Sequence, residues 1–185
     1  MNTKLTLSRR QFLKGSALAA SSVALPTFIP SGVLAAPGRP GANDRINIGF
    51  IGIGRQATGL LGGALRLGEA RIAGFADVNL KRAQDNAAKQ GGVFACQDYR
   101  RLLERKDIDA IMTATPEHWR ILIVLHACQA GKDLYVEKPI TLTIKEGRWM
   151  VEAARKYGRI FQSGSQQRSD PLDIVACEFL RKGCL

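Results

Sequence analysis

Six consecutive residues, Gly52-Ile53-Gly54-Arg55-Gln56-Ala57, carry the pattern G-x-G-x-x-A directly after an apolar run. That spacing suits phosphate chemistry. The first glycine permits a tight turn, the second lets the backbone approach an anion, and the small last residue lets a helix pack on the preceding strand. The amides of Arg55, Gln56 and Ala57 would open that helix and present its positive end to the anion. Asp77 lies 20 residues beyond Ala57, where an acid accepts hydrogen bonds from ribose hydroxyls. Together these residues predict a dinucleotide site. A carboxylate there repels a 2′-phosphate and so favours NAD, while Lys81 and Arg82 nearby leave room for NADP. The competing reading is purely structural: a glycine turn, with Asp77 capping the helix that opens at Asn79.

A site of this kind needs strands that end along one edge, and the chain supplies them. Strand-like runs are Ile46–Ile51, Arg71–Ala76, Val93–Ala95, Ala110–Ala114, Asp133–Val136 and Ile160–Ser163. Between them lie helical patterns near Gln56–Leu67, Asn79–Gln90, Asp98–Arg105, Ile121–Ala130 and Ile144–Tyr157. Gly91, Gly131 and Gly158 stand where helices end, and Thr143 with Glu146 forms a capping box before the fifth helix. Strands alternating with helices predict an α/β fold with a doubly wound parallel sheet of the Rossmann kind.

Composition narrows the alternatives. The chain has 185 residues, 45% of them hydrophobic, enough for a real core. Its net charge of +11 raises nucleic acid as a partner, but four of those charges, Lys4, Arg9, Arg10 and Lys14, fall in an acid-free start, and +7 remains without them. The other basic residues are interleaved with acids, and no aromatic-plus-basic stripe appears, so no nucleic-acid partner is expected. Cys96, Cys128, Cys177 and Cys184 show neither a CxxC nor metal-ligand spacing, so no metal site is expected. Cys128 and Cys177 sit in apolar helical patterns, which predicts two small buried hydrophobes.

The start itself reads as an address. Ser8-Arg9-Arg10-Gln11-Phe12-Leu13-Lys14 resembles the bacterial twin-arginine export signal, followed by a weakly apolar stretch too short to span a membrane. Residues 1–36 are therefore read as a signal peptide and 37–44 as a linker, with the twin-arginine translocase as partner and a periplasmic or otherwise exported destination. That resemblance also implies export in the folded state, with a cofactor already loaded.

Three further segments narrow the family: Asp107-Ile108-Asp109-Ala110-Ile111, Thr115-Pro116-Glu117-His118-Trp119, and Ala130-Gly131-Lys132-Asp133-Leu134-Tyr135-Val136-Glu137-Lys138-Pro139. With the glycine turn they resemble the Gfo/Idh/MocA oxidoreductases, from about Ile46 to Gly183. The resemblance implies an NAD(P) Rossmann domain over residues 45–165, followed by an α/β substrate domain that begins at 166–185. It makes Lys138 the catalytic lysine at the nicotinamide end, Pro139 the residue that fixes the backbone after it, Glu137 a neighbour that orients the lysine or touches the ribose, and Thr115 and Pro116 a loop against the dinucleotide. Glu117, Trp119 and Gln167 would at most line a pocket.

Arg120 departs from the pattern, since members of this type carry His there. His126, inside an apolar helix, is expected to be a satisfied core residue. Pro171–Lys182 reads as a helix entering the second domain, and the rest of that domain is expected to be missing, leaving this chain without turnover of its own. The implied substrates are sugar- or cyclitol-like. Glycoside cleavage through bound NAD is the alternative, and a non-catalytic nucleotide-binding remnant a third.

Overall fold

The computed structural model describes residues 33–37 and 40–184; the arginine pair lies outside them. Six parallel strands form one sheet: β1 (Ile46–Ile51), β2 (Ala70–Ala76), β3 (Phe94–Cys96), β4 (Ala110–Thr113), β5 (Asp133–Glu137) and β6 (Phe161–Gly164). Their spatial order is β3-β2-β1-β4-β5-β6. This is the doubly wound Rossmann order, which reverses between β1 and β4 and opens a crevice there.

Alternation along the strands splits the core into two layers. Phe50 and Phe75 point to one face, where they meet Ile53 of the following turn and Ala57, Leu61 and Ala83 from α1 (Arg55–Ala64) and α2 (Leu80–Lys89). Their neighbours Ile51 and Ala76 point to the other, against Leu102 of α3 (Tyr99–Leu103), Val124 of α4 (Glu117–Gln129) and Met150 of α5 (Ile144–Tyr157). Both faces of the sheet are covered, as a parallel sheet requires.

Local sequence sets the helix ends. Asn79 and Asp98 accept hydrogen bonds from the amides of Arg82 and Arg100, and Thr143 closes the expected capping box with Glu146. Gly91, Gly131 and Gly158 have positive φ, as the helix-end reading expects. Two helix ends differ from the pattern by three residues or more. Helix α1 stops at Ala64, not Leu67, because Arg66 and Leu67 tighten into bonds to Gly63 and Ala64 three residues back. Helix α4 begins at Glu117, not Ile121: Pro116 precedes it and Glu117 places an acid in the first turn, both favourable at a helix start.

The last helix, α6 (Pro171–Arg181), buries none of its residues, and its Leu172, Ile174, Val175, Phe179 and Leu180 are all exposed. Cys177 is exposed with them, which corrects the expectation of a buried thiol: no residue of its helix is buried. Cys96 and Cys128 are buried.

Candidate functional site at the strand crossover

The crevice at the topological reversal is a cleft of about 570 Å³ along the C-terminal edge of the sheet. The first four strands each deliver a part. Gly52 follows β1, Asp77 follows β2, and Thr115 and Pro116 follow β4; all line the cleft together with Gly54. Gly52 adopts φ +79°, and a Cβ there would lie 2.5 Å from Thr115 Cγ2. Two requirements therefore fix glycine at that position, backbone conformation and close approach. Gly54 has φ −80° and nothing within 4 Å of a built Cβ, so neither conformation nor packing demands glycine there. What its bare backbone leaves is open space at the mouth of α1.

Thr58 closes the first helical hydrogen bond on the Gly54 carbonyl, which leaves the amides of Arg55, Gln56 and Ala57 without intrahelical acceptors. The Arg55 and Gln56 side chains are exposed and outside the cleft lining, while Ala57 is buried against the sheet.

Asp77 is buried, and its carboxylate is already at work within the fold. Oδ2 accepts from the Ile53 amide at 2.7 Å and Oδ1 from the Asn79 amide at 2.8 Å. The Arg82 guanidinium stands 3.5 Å from Oδ2. Both sequence readings of Asp77 therefore meet in one residue: it braces the glycine turn, supports the start of α2, and still faces the cleft.

The outer wall comes from residues to which the sequence reading assigned no role: Val78, Gln97, Asp98, Tyr99 and Arg100. Asp98 grips the Arg100 guanidinium with bonds of 2.7–3.1 Å, and Arg100's hydrogen bonds hold the Asp98 carboxyl below the usual carboxylate range. Tyr99 hydrogen-bonds His126 Nδ1 at 2.8 Å, which satisfies that histidine as expected. No residue pattern marks this wall: it follows from the strand order, in which β3 lies beside β2 and its following loop reaches the same edge.

The nicotinamide end expected from the Glu-Lys-Pro triplet stands one strand further on. Glu137 ends β5 fully buried, with no hydrogen-bond partner for either carboxylate oxygen. Lys138 is exposed, and the Lys138–Pro139 peptide is cis. Neither residue lines the cleft itself. Trp119 does, whereas Gln167 lies instead in a shallow groove beside α6, and His118 is exposed. Arg120, in place of the expected histidine, is buried; it donates from Nε to the Thr115 carbonyl at 2.6 Å and from Nη1 to the Pro139 carbonyl. No group of metal-ligating side chains occurs among the described residues, and no helix among them is long and apolar enough to cross a membrane.

Comparison with known proteins agrees with this geometry. Residues 6–26 match the twin-arginine translocation signal sequence, so the chain carries an export signal for that pathway. A glycosyl hydrolase family 109 protein of Shewanella pealeana is 27% identical over 82% of this chain and 38% of its own length. The uncharacterized oxidoreductase YrbE of Bacillus subtilis is 30% identical over 69% of the chain and 37% of its own length. The chain thus spans less than two-fifths of these relatives. Among solved structures, an NAD-binding oxidoreductase of Klebsiella pneumoniae superposes with a TM-score of 0.67 at 26% identity, covering 75% of this chain and 39% of that one. A 3-ketoreductase of Actinomadura kijaniata, solved with NADP, shares the fold with a TM-score of 0.70 at 24% identity, over 75% of this chain and 43% of its own. Residues 46–165 match the family described as oxidoreductase family, NAD-binding Rossmann fold, and the chain belongs to that Gfo/Idh/MocA family.

Proposed function

We propose that this chain is the cofactor half of an exported NAD(P)-dependent oxidoreductase that acts on sugar- or cyclitol-like substrates. The observation that carries the reading is the convergence of Gly52, Gly54, Asp77 and Thr115 on one cleft at the strand reversal. In it the pyrophosphate would lie over Gly54 and the free amides of Arg55, Gln56 and Ala57, and the adenosine ribose against Asp77. Thr115 and Pro116 would flank the nicotinamide half. Residues 45–165 form this unit in our reading, and 166–185 lead into a substrate domain.

Bound NAD supplies a hydride acceptor. Lys138, exposed at the end of β5, would hold the substrate hydroxyl through its ammonium and stabilise the oxygen as charge develops on it. Glu137 beneath it would orient that lysine. The test is calorimetry with NAD and NADP on the 185-residue chain, wild type against Asp77→Ala. Loss of the ribose acceptor should weaken NAD binding roughly ten- to a hundred-fold. Equal affinities would remove Asp77 from the site.

The glycosyl hydrolase family 109 relatives favour one second reading, glycoside cleavage by transient oxidation on a retained NAD. In the longer protein the two separate cleanly. An oxidoreductase forms one NADH per product at 340 nm, whereas the cleaving enzyme releases sugar with no net NADH.

A further inference from the structure

We propose that Arg120 is a positioning residue that locks the loop bearing Lys138 to the wall of the cleft, so that Lys138 and the nicotinamide half of the dinucleotide are held in register. The proposal rests on the dinucleotide reading above.

The geometry is specific. Arg120 is the fourth residue of α4 and is only 5% exposed. One arm of its guanidinium reaches the Thr115 carbonyl in the cleft wall, and another reaches the Pro139 carbonyl, one residue past Lys138. These carbonyls lie in loops that leave adjacent strands, β4 and β5, which pair at Thr113 and Val136. Arg120 thus ties the two loops directly to each other.

Only a planar fork does this well. A guanidinium sends N–H groups in fixed, diverging directions, whereas a lysine ammonium is a single attachment point. A neutral histidine, the residue that the resemblance expects here, has one ring donor and could hold one loop at a time. Burial of the cation is unfavourable, and desolvation lowers its proton affinity, while the Glu117 and Glu137 carboxylates raise it. Glu137 is also the fully buried acid with no hydrogen-bond partner of its own. The field of that carboxylate offsets part of the desolvation of the buried guanidinium.

The test compares two ligands on the full chain: NADH, and ADP-ribose, which lacks only the nicotinamide. Arg120→Met should weaken NADH binding about tenfold and quench the fluorescence enhancement of bound NADH, because the nicotinamide is no longer held. ADP-ribose affinity should stay within about twofold, because Gly52, Gly54 and Asp77 are untouched. Arg120→Lys keeps the charge and carries the test if Arg120→Met does not fold; it should show the same split, about threefold in size. A parallel fall for both ligands, or no change for either, would overturn the positioning role. Failure of the wild-type chain to bind either ligand would instead sink the dinucleotide reading, and this proposal with it.

Discussion

Two lysines six residues apart in the same segment mark the two ends of β5, and they live in opposite conditions. Lys132, just before the strand, is 7% exposed and donates to the carbonyls of Arg105 and Ile108 at 2.7 and 2.8 Å. Burial pulls its proton affinity down. Near it, Asp109 accepts from both the backbone and the side chain of Asn47. That end of the sheet is closed and satisfied. Lys138, just after the strand, is exposed and makes no hydrogen bond among the described residues, above a carboxylate that has none either. A lysine whose donors are spent on backbone carbonyls builds the fold, and one whose donors are left over is available to a ligand.

The contrast can be broken at several points. The largest expected effect is at the closed end. Lys132→Met strands the buried Ile108 carbonyl and the partly buried Arg105 carbonyl and should cost about 2–4 kcal/mol in urea unfolding, whereas Lys138→Met should change stability by less than about 0.5 kcal/mol. Equal midpoints for the two variants would erase the distinction. Next comes the glycine pair of the cleft. Gly52→Ala forces an L side chain to positive φ and into Thr115, for about 2–3 kcal/mol. Gly54→Ala should unfold like wild type yet lose about tenfold or more in NAD affinity, because its methyl group enters only the space the pyrophosphate would fill. A Gly54→Ala chain with undiminished NAD binding would place the phosphates elsewhere.

A smaller effect is expected at Asp77→Asn. One of the two braced amides loses a charge-assisted acceptor, worth about 1–2 kcal/mol, and the preference for NAD over NADP should fall because the neutral amide no longer repels a 2′-phosphate beside Arg82. Unchanged selectivity would show that Asp77 acts only as a brace. The smallest concerns Asp98, whose folded-state proton affinity is depressed by Arg100. Its contribution is complete above the ordinary carboxylate range and fades as the pH falls through the lower folded value. Carboxyl titration by NMR should show the Asp98 midpoint rising in Arg100→Gln. An unmoved midpoint would remove the pairing from the cleft wall.

Much of this was legible in the residues. Apolar runs, cap residues and terminal glycines located six strands and six helices to within a few positions, because each is a local signal. The turn at Gly52 and the place of Asp77 at the end of β2 were legible because both depend on spacing along the chain. The outer wall at Gln97–Arg100 and the bridge from Arg120 were not, since both arise from which strands become neighbours. The misjudged thiol teaches the same lesson: α6 has the composition of a packed helix, and periodicity reports an apolar face without saying what covers it.

The cysteines gain a different meaning from the export signal. A chain that folds in the reducing cytosol and then crosses intact enters a compartment that oxidises thiols. Cys96 and Cys128 make that passage sealed in the interior, where burial raises their proton affinity and keeps the reactive thiolate scarce. Cys177 and Cys184 arrive on the surface. The order of folding and transport thus keeps two of the four thiols out of reach of oxidants before the chain ever meets them.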